Sequence, residues 1–212
     1  MAFHYIAIEG AIGVGKTTVV DRLAERLDAN KVLEDWSSNP FLHPFYDGKP
    51  GAAFQAELFF LLSRYRQQQE LLQRRLFAQA TLSDYVFEKS RLFSYLNLDD
   101  SELLIFDKLF ALLAEGVPKP DLVVYLQAPT EVLLKRVKQR GRPEEARLSE
   151  EYLAEVNRAY NHYFFHYSTT PLLVVNTADV DFATNAEDTD DLLKQIRAMG
   201  KGTQYYVPRA RA

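Results

Sequence analysis

Residues 3–18 read Phe-His-Tyr-Ile-Ala-Ile-Glu-Gly-Ala-Ile-Gly-Val-Gly-Lys-Thr-Thr, an apolar run that breaks into glycines and then into a lysine and two threonines. Phe3 to Glu9 reads as a strand. Lys16 to Leu27 reads as a helix, because Val20, Leu23, Ala24 and Leu27 fall on one stripe at helical spacing. Between them, Gly10-x-x-x-x-Gly15-Lys16-Thr17 is the complete P-loop pattern in the strand–loop–helix context that gives it meaning. Glycines at 10, 13 and 15 let the backbone curl its N–H groups inward around phosphate oxygens, and the helix N-terminus adds positive potential. Gly10, Ala11, Ile12, Gly13, Val14, Gly15, Lys16, Thr17 and Thr18 are therefore the expected ATP-binding residues. Lys16 is placed to reach the β- and γ-phosphates, and Thr17 to offer its hydroxyl to Mg²⁺.

Outward from this stretch, apolar bursts alternate with segments of helical period, the pattern of a parallel sheet with crossover helices. Lys31–Asp35 and Thr81–Val86 read as the second and third strands. Asp121–Gln127 and Leu172–Asn176 are near-continuous apolar runs, as strands buried on both faces are. Pro118, Pro120 and Pro171 bar helix just before these two. Helices are expected from Ala52 to beyond Leu76, and over Thr130–Arg140, Glu150–Tyr163 and Glu187–Met199. The expectation is an α/β, three-layer P-loop NTPase fold. Its five-stranded parallel sheet is flanked by helices and forms one domain over residues 1–212. A lid lies at about 140–149, and a tail at about 200–212 has no clear place.

The bulk properties narrow the class. With 212 residues, 47% hydrophobic and 25% charged, the chain can bury a sizeable core. Its net charge of −4 argues against a nucleic-acid polymer as partner. The absence of cysteine removes disulfides and thiolate metal sites. Apolar stretches such as Leu58–Leu62 are far too short to span a bilayer, and the N-terminus has no secretory pattern. No membrane partner and a cytoplasmic location are expected. His4, His43, His162 and His166 show no metal-ligand spacing.

A P-loop does not say where the phosphate goes. Asn176-Thr177-Ala178-Asp179 lacks the lysine of a guanine-reading loop, and the strand Asp121–Gln127 ends in Gln127-Ala128 rather than an acid. A small-molecule kinase is the class that remains. Glu34, at the end of the second strand, stands where α/β sheets bind ligands and can accept the proton of an attacking hydroxyl. It can equally cap a loop. Glu57 and Arg64 lie seven residues apart, on one face of the long helix, as a site or as a surface ion-pair stripe. Arg136, Arg140 and Arg142 cluster at a helix end that Gly141 and Pro143 break, which suits a phosphate-covering lid. Basic residues also simply favour helix C-termini.

Taken together, these segments resemble the deoxynucleoside kinases over nearly the whole chain. The most specific matches are the P-loop, Glu34-x-x-x-x-Asn39-Pro40-Phe41, Phe45-Tyr46 with Ser63-Arg64 downstream, and Arg136-x-x-x-Arg140-Gly141-Arg142-x-Glu144-Glu145. The resemblance implies that Glu34 is the general base on a nucleoside 5′-hydroxyl. It implies that Tyr46 and Glu145 hold the 3′-hydroxyl, and that Arg64 supports the base and 5′ region. It assigns Arg136, Arg140 and Arg142 to the transferring phosphate and the ATP base. ATP and Mg²⁺, a deoxynucleoside substrate and a homodimer built on long helices follow from the same likeness.

Two departures stand out. The family's acid–arginine–serine at the third strand is here Asp84-Tyr85-Val86, with Glu88-Lys89-Ser90 as an alternative register. Asp84 is preferred as the Mg²⁺-side acid, with Lys89 replacing the missing cation. The family's base-reading glutamine falls on Glu57, with Gln55 two residues away. An ionised carboxylate only accepts hydrogen bonds, which suits the two adjacent donors of guanine, while a protonated one suits adenine. A purine acceptor, deoxyguanosine or deoxyadenosine, is the expectation. The rival readings are a monophosphate kinase of thymidylate type, which the acidic, apolar Leu33–Trp36 segment disfavours, and a non-catalytic nucleotide-binding module.

Overall fold

The computed structural model describes residues 3–74 and 80–208. Its centre is a parallel sheet of β1 (Tyr5–Glu9), β2 (Asn30–Val32), β3 (Thr81–Ser83), β4 (Leu122–Gln127), β5 (Leu172–Asn176) and β6 (Thr203–Tyr206), in the order β2-β3-β1-β4-β5-β6. β1 and β4 are buried along almost their whole length, which is why they read as unbroken apolar runs. Helix α1 (Lys16–Leu27) lies against β1, β2 and β3 and touches α8 (Ala186–Ala198). A second group comprises α3 (Ala52–Arg74), α4 (Lys89–Asn97), α5 (Asp100–Ala114), α6 (Thr130–Arg140) and α7 (Glu150–Phe165). Within it α3 meets α4 and α5, and α7 meets α4 and α6. The short α2 (Leu42–Tyr46) packs on α3. The main core runs from Ile6 and Ile8 through Leu126 and Leu133 to Tyr160 and Phe164.

The sheet has six strands where the sequence predicts five. The tail forms β6, pairing Leu172–Val175 with Thr203–Tyr206, and Gly202 accepts the Leu172 N–H at 3.0 Å. Thr-Gln-Tyr-Tyr has strand propensity but exposes its side chains at the sheet edge, so no buried pattern marks it. The second and third strands are shorter than predicted because side chains take over their ladders. Asp84 Oδ1 accepts the Glu34 N–H at 2.8 Å, and Glu9 Oε1 accepts the Val86 N–H at 2.9 Å. The expected extension of the long helix beyond Leu76 lies outside the described residues, as do residues 209–212.

Besides the five-residue α2, two longer helices escape the periodicity reading. The buried positions of α4 are Lys89, Ser90, Leu92 and Ser94, so polar residues interrupt its inward face and blur the apolar stripe. α5 begins with a capping box, in which Asp99 accepts from the Ser101 and Glu102 N–H groups and Glu102 returns to the Asp99 N–H. That Asp-x-x-Glu start is the signal that finds it.

Ending the chain at Met199 removes β6 and bares the β5 edge, where Leu172, Leu173 and Val175 are almost fully buried. The truncated protein is expected to melt about 5 °C lower and to self-associate, as followed by thermal unfolding and light scattering.

Candidate active site

The loop from β1 into α1 has a backbone that only glycine fits at two points. A Cβ on Gly10 (φ +151°) would lie 2.5 Å from the Leu126 carbonyl oxygen, and one on Gly13 (φ +86°) 2.8 Å from that of Leu133. The loop is thus pressed against β4 and α6. Ala11 and Val14 are buried beneath it. Lys16 Nζ donates to the carbonyls of Gly10 and Ala11 at 2.7 and 3.2 Å. Burial, with the nearby charge of Lys89, pushes the Lys16 ammonium down to about 8. A phosphate beside it restores the full charge. Thr17 donates its hydroxyl to Asp84 Oδ2 at 2.9 Å.

This phosphate loop forms one end of a cavity of about 280 Å³. Glu34 stands near its middle, on the segment that leaves β2. Its carboxylate receives Arg64 Nε from α3 at 2.7 Å and Lys89 Nζ from α4 at 2.6 Å. Arg64 also donates to Ser90 Oγ at 2.7 Å and lies over the Phe60 ring. Burial alone would raise the Glu34 carboxyl, but the two cations hold it well below the usual carboxylate range. Glu34 is therefore ionised and aimed by two rigid donors. Asp84, which binds both Thr17 and the Glu34 backbone, is the third-strand acid, whereas Glu88 lines a separate surface depression. Lys89, expected as the substitute for a missing cation, reaches the Glu34 carboxylate from α4.

The far end of the cavity is walled by Ala56, Phe60 and Phe93, with Glu57 its buried acid. Asn97 Nδ2 donates to Glu57 Oε1 at 2.8 Å, while Oε2 is buried with no hydrogen-bond partner. Burial pushes this carboxyl up to about 7, against the opposing pull of Arg64 and Asn97. Gln55, the alternative base-reading residue, is exposed on α3 and does not line the cavity. One residue type thus sits in two opposite electrostatic settings within one cleft.

The lid turns at Gly141 (φ +64°), which ends α6, and continues as a 3₁₀ turn over Pro143–Glu145. Arg140 donates to both oxygens of Glu145, Arg142 stands 3.7 Å from it, and the Arg142 guanidinium covers the Trp36 ring at 4.3 Å. Tyr46 joins them at the cavity wall, its phenol pushed up by burial and by the charge of Glu145. Arg147 pairs with Asp47 beside α2, so the lid lies down on the mouth. Arg136 departs from the expected grouping. It does not line the cavity, and its guanidinium donates to the Thr177 and Val180 carbonyls at 2.7 and 3.0 Å and to Val14 at 3.4 Å, behind the phosphate loop. A helix end that faces the β5 loop offers these carbonyls at closer reach than the cleft.

Sequence reasoning omits Asn97 and Tyr152, both of which belong to the far end of the site, and Glu9. Glu9 is fully buried at the end of β1 and accepts the Gly10 and Val86 N–H groups at 2.9 Å each. It ties the phosphate loop to the segment after Asp84. Its place directly before the P-loop, where an apolar strand would not otherwise end in an acid, is the signal for it. Tyr152 reaches the cavity from α7 and Asn97 stands behind it on Glu57, both through helix packing that leaves no local signal.

A family profile described as deoxynucleoside kinase matches residues 6–200. A deoxyguanosine kinase of Bacillus subtilis (strain 168) is 32% identical over 200 residues, covering 92% of this chain and 97% of that protein. A deoxyadenosine/deoxycytidine kinase of the same organism is 27% identical, covering 92% of each. Among solved structures, a deoxyadenosine kinase from M. mycoides with bound dATP superposes with a TM-score of 0.76 at 21% identity, over 92% of this chain and all of that one.

The raised Glu57 carboxyl gives a signed stability effect. The folded protein holds the Glu57 proton up to about 7, whereas an unfolded glutamate releases it near 4.5. Its contribution is present below the unfolded value and is lost as pH rises through about 7. At about 1.4 kcal/mol per unit the full span is on the order of 3 kcal/mol. Glu57→Gln, which never ionises, is expected to gain on wild type between pH 5 and pH 8 when both are unfolded in urea.

Proposed function

Since this chain belongs to the deoxynucleoside kinase family, we propose that it transfers the γ-phosphate of ATP to the 5′-hydroxyl of a purine deoxynucleoside, deoxyguanosine or deoxyadenosine. The observation that carries the reading is Glu34, ionised in the cleft beside the phosphate loop and fixed by Arg64 and Lys89. A 5′-hydroxyl placed between Glu34 and Lys16 loses its proton to the carboxylate as the bond to phosphorus forms. A weakly basic carboxylate suffices, because phosphoryl transfer proceeds through a loose transition state in which the nucleophile sheds its proton late. Lys16 and the lid arginines Arg140 and Arg142 balance the charge on the transferring group, and the lid keeps water out. Arg140 and Arg142 exchange their Glu145 contacts for phosphate, which leaves Glu145 and Tyr46 for the 3′-hydroxyl. Arg136 holds the loop from behind.

The donor set fits a nucleotide-borne magnesium ion. Thr17 and Asp84 supply a hydroxyl and a carboxylate on adjacent elements, and no cluster of three or more acidic or imidazole side chains exists among the described residues. Two protein oxygens suit Mg²⁺ that takes its other ligands from phosphates and water. Bound there, it would neutralise phosphate charge.

The acceptor is uncharged in this reading, since Arg64 and Lys89, the cations beside Glu34, are both committed to it. Leu104, Ile105 and Leu112 on α5 and Leu62 on α3 are more than half exposed. They form the apolar surface on which a second copy packs in a homodimer. No helix among the described residues is long and apolar enough to cross a membrane. We place the reaction in the cytoplasm, in nucleoside salvage, where ATP and free deoxynucleosides meet.

The test is ATP-dependent phosphorylation of the four common deoxynucleosides, with dGMP and dTMP as control acceptors. Purine deoxynucleosides are expected to give 5′-monophosphates, and Glu34→Gln to lose about 10²–10⁴-fold in kcat with ATP affinity kept. Turnover of the nucleotides alone would overturn the reading.

A further inference from the structure

The far end of the cleft presents a single carboxylate to whatever base enters between Phe60 and Phe93, and its two oxygens are not equivalent. Oε1 of Glu57 is occupied by the side-chain amide of Asn97 at 2.8 Å, and Oε2 is buried without a partner. We propose that Asn97 is a specificity-determining positioning residue, which holds Oε1 so that Oε2 is the oxygen offered to the Watson–Crick edge of the purine. The proposal rests on the kinase reading above and goes further by naming how the base is chosen.

The chemistry at Oε2 has two states. Ionised, it accepts the N1–H of guanine but faces the N1 lone pair of adenine with repulsion. Protonated, it donates to adenine N1 and meets guanine N1–H donor against donor. An unsatisfied donor or acceptor in a buried site costs enough to reject the wrong partner. The proton on Oε2 therefore decides between the two purines.

Every element around Glu57 bears on that proton. Arg64 on the same helix, Asn97 and Lys89 on α4 favour the ionised form, while Glu34 on the segment after β2 and burial itself disfavour it. Tyr46 from α2 and Tyr152 from α7 complete the surroundings, and Tyr152 reaches Asn97 as well as Glu57. These influences leave the carboxyl at about 7. Asn97 is the neutral partner among them, so its removal changes the balance without adding or deleting a charge.

The experiment is kcat/KM for deoxyguanosine and deoxyadenosine from pH 6 to 9, for wild type, Asn97→Ala and Glu57→Gln. The wild-type guanine-to-adenine ratio is expected to rise about tenfold per pH unit, the deoxyguanosine profile rising and the deoxyadenosine profile falling through a midpoint near 7. Asn97→Ala is expected to shift the midpoint to higher pH, since it deletes a donor to the ionised form. Glu57→Gln should give a flat ratio displaced toward adenine. A flat wild-type ratio with both substrates turned over overturns the proposal, as does an unmoved midpoint in Asn97→Ala. If Asn97→Ala shows no ATP-dependent rise in Tm, the wild-type and Glu57→Gln profiles decide alone. No turnover of any deoxynucleoside at any pH would sink the kinase reading itself, and this proposal with it.

Discussion

The site is organised by one buried ion cluster, Glu34 between Arg64 and Lys89. A carboxylate so enclosed is tolerable only when its charge is matched and its lone pairs are taken, and here two cations from two helices do both. The cluster fixes the segment after β2 against α3 and α4, and so sets the width of the cleft. It also explains why α4 buries a lysine and a serine beside its apolar residues. Lys89 and Ser90 are buried because they complete the coordination of Glu34 and Arg64, not because the sheet needs them. The acid proposed to receive the substrate proton is thus the same group that holds the acceptor half of the molecule together.

Much of this is legible in the sequence. The P-loop fixed β1, its crossover helix and the phosphate end of the site, because glycine geometry there is set within a few residues. Gly10 and Gly13 have contacts that admit no side chain. The strands β4 and β5 announced themselves through burial on both faces. What sequence missed shares a different property. α4 buries Lys89, Ser90 and Ser94 beside Leu92, β6 is an exposed edge, and Tyr152 lines the cleft and Asn97 backs Glu57 through helix packing over long separations. Arg136 misled because helical spacing groups it with Arg140, although its guanidinium finds carbonyls behind the loop. Spacing gives the face of a helix, and only tertiary contacts say what the face meets.

Glu34 and Glu57 show how far environment decides the character of one residue type. Glu34 is nearer to two cations and stays charged; Glu57 lacks a direct cation and meets a neutral amide and aromatic walls. The first is suited to receive a proton from a hydroxyl, the second to read a base. Their shared neighbour Arg64 contacts Glu34 directly and acts on Glu57 only through space. The pattern follows the general rule that paired carboxylates in one site take different roles when their surroundings drive them apart.

Asp84 has a mechanical consequence. One of its oxygens receives the Thr17 hydroxyl and the other receives the Glu34 backbone N–H. A carboxylate is planar and rigid, so rotating one oxygen swings the other. Any adjustment of Thr17 is transmitted through this pivot to the peptide that carries Glu34. The donor and acceptor halves of the cleft are geared together, and neither can be re-set while the other stays still.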